Sequence, residues 1–299
     1  MLDPERLHRV QGLPAHLRAN LRGQDHVVVP VAASLARVEL GLSPADRPKR
    51  SFLFLGPTGV GKTELALLCA RFLYGPDGLH RFDLSEFDGA NATQRLLGAN
   101  RTDRGLLGDR LARSNGGLLL FDEVEKADPK VWDLFLQILE SARVTVATGE
   151  TFSLSAWVIV LTSNLGGAEA MRMEHSSNAA IEAAVLRRAG QAMRPELFGR
   201  IEEKHVFARL SPSSQREIAS LLVARETARL RRLGHDLEVS PEALEFLICE
   251  GFDPHLGARP LRGVVERQLQ ELVVNALILS GQAQGRVVLT APRKLGLLR

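Results

Sequence analysis

The pattern of apolar and polar positions divides the chain into three stretches. Residues 1–50 read as helical, with a break from Gly41 to Pro48. From residue 51 to 207, short apolar runs alternate with amphipathic stretches. The runs are Ser51–Leu55, His80–Leu84, Gly117–Phe121, Trp157–Thr162 and Lys204–Phe207. Alternation of this kind predicts a five-stranded parallel sheet covered by helices on both faces. From Ser211 onward the pattern turns mainly helical. Ser211-Pro212 and Ser240-Pro241-Glu242 each place a cap residue before a proline suited to the first helical turn. A short strand is expected near Arg286–Leu289. The expected boundary falls near Leu210: a large α/β domain over 1–210, with 1–50 as its helical lead-in, and a small helical domain over 211–299.

Composition narrows the class. The chain has 299 residues, 45% of them hydrophobic, and its mean hydropathy is near zero, as for an ordinary globular core. The longest apolar runs, such as Trp157–Leu161, are far too short to span a bilayer. Met1–Arg6 has no apolar signal core, so no membrane partner is expected and the cytoplasm is the default compartment. Cys69 and Cys249 lie far apart in apolar contexts and read as reduced core residues. Net charge is +3, with an isoelectric point of about 9.1. The arginines are interleaved with acids along the whole chain, which favours genomic base composition over a nucleic-acid-binding face.

The densest chemistry is Gly56-Pro57-Thr58-Gly59-Val60-Gly61-Lys62-Thr63, followed by Glu64. It stands between an apolar run and a helical stretch, the strand–loop–helix context that a phosphate loop requires. Its glycines let several N–H groups turn toward one point, and the following helix adds its dipole. Lys62 offers a point charge to the β- and γ-phosphates of a nucleotide, and Thr63 a hydroxyl to Mg²⁺. About sixty residues on, the apolar run Gly117–Phe121 ends in Asp122-Glu123. Alone, such a pair reads as a helix start; downstream of a phosphate loop, Asp122 reads as a Mg²⁺ ligand and Glu123 as the group that activates water. Trp157–Thr162 runs into Asn164, an ordinary turn residue in isolation and here a candidate for orienting the attacking water.

These stretches, with Gly23-Gln24-Asp25, Phe82–Phe87, Arg194–Glu202 and Gly251–Arg262, resemble the AAA+ ATPases, specifically the second ATPase module of ClpB- and ClpA-type unfoldases and disaggregases. The resemblance covers nearly the whole chain in the family's order. It implies a P-loop αβα sandwich followed by a small, mainly helical lid, with ATP in the cleft between them and Mg²⁺ as cofactor. Asn164 matches the sensor-1 position. Arg200 matches the arginine finger that completes a neighbouring subunit's site, so activity would depend on a ring, most simply a homo-hexamer. Arg259 matches the sensor-2 arginine that touches the γ-phosphate. Leu21 and Arg22 stand where the family has two apolar residues against adenine, and Arg22 departs from that pattern. Outside these motifs each arginine would read as a surface salt bridge.

Other departures bear on what the motor acts on. The substrate-gripping loop is represented by Leu97–Leu107, which is shortened and holds no aromatic residue. Tyr74, the chain's one tyrosine, lies elsewhere. Arg101 and Arg104 stand in that loop instead and favour an acidic or phosphate-bearing partner. The loop Ser141–Phe152 lacks the acids and second arginine usual there. Leu165–Gln191 lacks the tripeptide that docks a ClpP-type protease. Met1 suggests a free-standing module. Three readings follow, in this order: a ring that remodels a specific protein complex or adaptor-bound protein without processive threading; a nucleic-acid-associated ATPase tracking phosphates through Arg101 and Arg104; and an ATP-switched assembly scaffold. The histidines show no paired metal spacing, so no metal beyond Mg²⁺ is expected.

Overall fold

The five apolar runs form the strands of one parallel sheet. The structure, a computed structural model, describes residues 4–42, 46–173, 176–291 and 294–298. The chain runs α1 (Pro4–Asn20), α2 (Asp25–Glu39), β1 (Arg50–Leu55), α3 (Lys62–Tyr74), β2 (Leu79–Asp83), α4 (Ala92–Leu97), α5 (Gly105–Arg113), β3 (Gly117–Asp122), α6 (Pro129–Ser141), β4 (Arg143–Thr145), β5 (Thr151–Ser153), β6 (Trp157–Thr162), α7 (Gly167–Arg172), α8 (Asn178–Ala192), α9 (Pro195–Arg200) and β7 (Glu203–Val206). It continues through α10 (Pro212–Arg232), β8 (Leu237–Val239), α11 (Pro241–Gly251), α12 (Leu261–Ser280), β9 (Gly285–Ala291) and β10 (Lys294–Leu298). Contacts divide it into two compact units, Met1–Pro57 with Gly61–Arg209, and Thr58–Val60 with Leu210–Arg299.

In the first unit the sheet order is β2-β3-β6-β1-β7, every pair parallel. β3 and β6 are buried along their whole length, as strands covered on both faces must be, which is why they read as continuous apolar runs. Their side chains Phe121, Ile159 and Leu161 pack with Phe135 and Ile138 of α6 in the main core. β2 ends one residue earlier than the sequence predicts. Asp83 caps a single 3₁₀ turn, Leu84–Glu86, and its carboxylate accepts the Ser85 N–H at 3.1 Å. The break expected over Gly41–Pro48 follows the end of α2, and its residues 43–45 lie outside the described residues. A buried ion cluster fastens α1 to the rest: Glu39, its side chain 8% exposed, accepts from Arg6 at 3.1 Å, Lys49 at 2.8 Å and the Tyr74 hydroxyl at 2.7 Å. Burial pushes the Glu39 carboxyl up, but the bonds from Lys49 and Tyr74 and the charges of Lys49 and Arg6 outweigh it and hold it below the usual carboxylate range.

In the second unit, Ser211 caps α10 and Ser240 caps α11, each accepting a main-chain N–H at 3.2 Å with proline in the first turn. The three helices pack around Leu230, Leu247, Leu261 and Leu269. A three-stranded sheet, β10-β9-β8, completes it. Only β9 was legible as a strand in the sequence. One cysteine departs from expectation. Cys69 is buried, its thiol pushed up to about 12 by burial, whereas Cys249 is exposed. α11 turns Ala243, Leu247 and Gly251 inward at i, i+4 and i+8, and residue 249 falls off that stripe.

Candidate nucleotide-binding site

Three adjacent strands, β3, β6 and β1, end side by side. Leu161 of β6 pairs with both Leu53 and Phe121, and Thr162 pairs with Phe54. The loop after β1, the acids after β3 and Asn164 after β6 therefore leave the sheet at one edge. Carboxyl ends of parallel strands are where open α/β sheets bind ligands.

The phosphate loop is held by close backbone approach. Gly56 has φ 126°, and a Cβ there would stand 2.6 Å from the Phe207 carbonyl oxygen. Gly61 has φ 108°, and a Cβ there would stand 2.7 Å from Leu21 Cδ1, so Leu21 lies directly on the loop. Arg22 does not join it; its Nη1 donates back to the Arg18 carbonyl at 2.9 Å. Lys62 opens α3 and is buried. Its ammonium donates to the carbonyls of Gly56 (2.7 Å) and Pro57 (2.6 Å) and to Asn164 Oδ1 (2.9 Å). Burial lowers the Lys62 pKa to about 8, against the charges of Glu125, Asp122 and Glu123. Glu64 is half-buried in the first turn of α3.

Thr63 Oγ1 donates to the Asp122 carboxylate at 3.0 and 3.2 Å. Asp122 also accepts from Arg81 at 2.7 Å and from the Thr162 hydroxyl. Glu123 adopts the left-handed backbone conformation, φ 57° and ψ 50°, with its N–H donating to Thr162 Oγ1 at 3.2 Å. Its Oε2 lies 2.5 Å from Lys126 Nζ. Glu125 Oε1 accepts the Asn164 N–H at 2.9 Å. Sequence reasoning missed Arg81, Glu125, Lys126 and Thr162. Of these only Thr162 carried a signal, as the residue closing an apolar strand two places before Asn164.

The cradle of positive-φ glycines around a buried ammonium fits a phosphate chain, and the adjoining hydroxyl–carboxylate pair fits a hard divalent cation. Among the described residues no cluster of three or more His, Cys, Asp or Glu side chains offers another metal site.

The remaining expected residues belong to other elements. Arg200, on α9, pairs with Glu140 of α6 at 2.8 Å. Arg259 is exposed in the second unit, just before α12. Arg101 is exposed. Arg104 makes a surface pair, its guanidinium forking onto Glu150 at 2.6 and 2.7 Å. Hydrogen bonds from Arg104 and Thr148 hold Glu150 down to about 2. The Ala147 N–H donates to the Leu97 carbonyl at 2.8 Å, tying the same two loops through the main chain. The β4–β5 hairpin, antiparallel from Arg143–Ser153 to Thr145–Thr151, presents Glu150 there. The stretch Ser141–Phe152 thus keeps one acid, and Arg104 spends its charge on it.

Comparison with known proteins agrees with this geometry. The family described as AAA domain (Cdc48 subfamily) matches residues 47–204. The C-terminal, D2-small domain of ClpB protein matches residues 210–289. A probable chaperone protein ClpB 1 of Chlorobaculum tepidum is 38% identical over 298 residues, covering 94% of this chain and 67% of that protein. The chaperone protein ClpB of Pseudomonas putida is 38% identical, with 97% and 34% covered. Chaperone protein ClpB 2 of a Nostoc species is 38% identical, with 89% and 31% covered. The chain therefore spans about a third of the length of the latter two relatives. Among the described residues no helix is long and apolar enough to cross a membrane.

Proposed function

Since this chain belongs to the AAA domain family and carries a ClpB-type D2-small domain, we propose that it hydrolyses ATP at the Lys62–Asn164 site and works as a ring on a particular protein complex. The observation that carries the reading is the convergence of Lys62, Thr63, Asp122, Glu123 and Asn164 at the ends of three adjacent strands.

Each residue has a role its chemistry suits. The loop N–H groups and Lys62 bind the β- and γ-phosphates, Lys62 exchanging its loop carbonyls for phosphate oxygens. Thr63 and Asp122 would hold Mg²⁺, which would supply positive charge against those phosphates. Asn164 orients a water and Glu123 takes its proton as the water oxygen bonds to the γ-phosphorus and the bond to ADP breaks. Arg259 is assigned to the γ-phosphate by the family resemblance alone. Arg200, half-exposed and in a surface pair with Glu140, suits a group that swings to a neighbouring subunit's nucleotide. Such a finger makes turnover depend on assembly, most simply a hexamer.

Relatives named chaperones support a protein as the object of work. The loop of residues 97–107 offers no aromatic grip, which favours remodelling without processive threading. The Arg104–Glu150 pair weakens the nucleic-acid reading, since one of its two arginines is already neutralised.

Glu123→Gln tests the chemistry: nucleotide affinity should survive and turnover should nearly vanish, whereas normal hydrolysis would refute the assignment. The same variant, held with Mg·ATP, tests the object. A discrete protein released by ADP supports the remodeller; nuclease-sensitive nucleic acid would replace it.

A further inference from the structure

The hydrolytic roles above use two of the three acids, Asp122, Glu123 and Glu125, at the carboxyl end of β3. The third, Glu125, lies in the 3₁₀ turn Val124–Lys126. That turn is fixed at its start. Glu123 enters it at positive φ, and the Trp132 indole N–H donates to the Val124 carbonyl at 3.0 Å. Glu125 is therefore aimed by the fold rather than free to swing.

Its two oxygens are used unequally. Oε1 accepts the Asn164 N–H, while Asn164 Oδ1 accepts from Lys62. One chain of bonds thus joins the acid turn, the residue that orients water, and the lysine that binds phosphate. Oε2 is buried and has no hydrogen-bond partner among the described residues. The other acids differ: Asp122 receives Thr63, Thr162 and Arg81, and Glu123 receives Lys126. A buried carboxylate oxygen without a donor is costly. Two things offset that cost here. The Lys62 ammonium lies in the field of Glu125, the largest acidic influence on it. A water beside Asn164 would also supply the missing donor.

We propose that Glu125 is a positioning residue of the ATPase site. It sets Asn164 through Oε1 and offers Oε2 to the water that Asn164 orients. The proposal rests on the ATPase reading, and wild-type turnover checks that reading separately: a wild-type protein that binds nucleotide without hydrolysing it fails the reading before Glu125 is tested.

The experiment compares Glu125→Ala, Glu125→Gln, Asn164→Ala and the double variant Glu125→Ala/Asn164→Ala. Mant-ADP affinity, steady-state hydrolysis and thermal melting are measured for each. Glu125→Ala should lose at least about tenfold in kcat, with KM and mant-ADP affinity nearly unchanged. Glu125→Gln keeps an acceptor for the Asn164 N–H and should recover much of that loss. In the Asn164→Ala background, adding Glu125→Ala should change kcat little, because the two act as one unit. Three results would overturn the proposal: wild-type kcat in Glu125→Ala, full additivity in the double variant, or a loss confined to nucleotide affinity. If Glu125→Ala does not fold, Glu125→Gln decides alone: partial turnover with intact affinity supports positioning. Loss as complete as that of Glu123→Gln would instead make Glu125 the proton acceptor and refute it.

Discussion

Thr162→Val removes one hydroxyl and nothing else of the side chain's shape. Thr162 is 2% exposed, and its Oγ1 works in both directions, donating to Asp122 and accepting the Glu123 N–H. A hydrogen bond to a charged group contributes about 1.5–3 kcal/mol, and a buried amide stripped of its partner costs about 1–3 kcal/mol. Asp122 keeps Thr63 and Arg81, and valine gains some apolar burial, so the net loss should be about 2–4 kcal/mol. For a unit of roughly 200 residues each kcal/mol moves Tm by about 2–4 °C, giving a drop of roughly 4–16 °C. Turnover should fall by about tenfold or more, since Asp122 and Glu123 lose their common anchor and 1.4 kcal/mol is a factor of ten. Thr162→Ser restores the hydroxyl while losing a methyl group, and should recover turnover. The assays are calorimetry of the nucleotide-free protein and steady-state hydrolysis. If the valine and serine variants melt together and hydrolyse ATP at the same rate, the hydroxyl carries neither bond and the argument is wrong.

Other expectations follow from the same structure. Glu39→Gln should cost about 3 kcal/mol at neutral pH, because it breaks a buried ion cluster. The Glu39 carboxyl is held below its ordinary value of 4.5, so its contribution is complete above that pH and lost as pH falls through the depressed value. Melting curves of the two proteins should therefore converge below about pH 4.5, and a gap that persists in acid would contradict the account. Arg104→Ala and Glu150→Ala should each speed thermolysin cleavage within residues 97–107, and the exchange of Arg104→Glu with Glu150→Arg should restore protection. Unchanged cleavage in the single variants would mean the pair does not hold the loops together. Arg200→Ala should keep nucleotide affinity and lose turnover. Mixing it with Glu123→Gln subunits, whose fingers are intact, should recover activity, and failure to do so counts against a finger acting between subunits.

The nucleotide loop was legible because its chemistry is contiguous: Gly56 to Thr63 carry the turn, the charge and the hydroxyl in one run. β1, β3 and β6 were legible because burial on both faces leaves unbroken apolar runs. β4, β5 and β8 were not, since each is three residues long and too short for periodicity to register. Arg81, Glu125 and Thr162 were missed for another reason. Their roles depend on which strand ends lie side by side, a fact of sheet order that residue spacing does not contain. The pairing of Arg104 with Glu150, 46 residues away, was missed for the same cause.

The left-handed backbone at Glu123 has an evolutionary consequence. A residue bearing a Cβ at positive φ costs of order 1–3 kcal/mol, whereas glycine and asparagine accept that conformation readily. The most direct way to relax the turn after β3 is therefore also a way to abolish hydrolysis. A lineage that no longer needed ATP turnover would find a stabilising substitution at this codon, with nothing opposing it. On the proposed function, glutamate at position 123 is a local sacrifice of stability made for its acid.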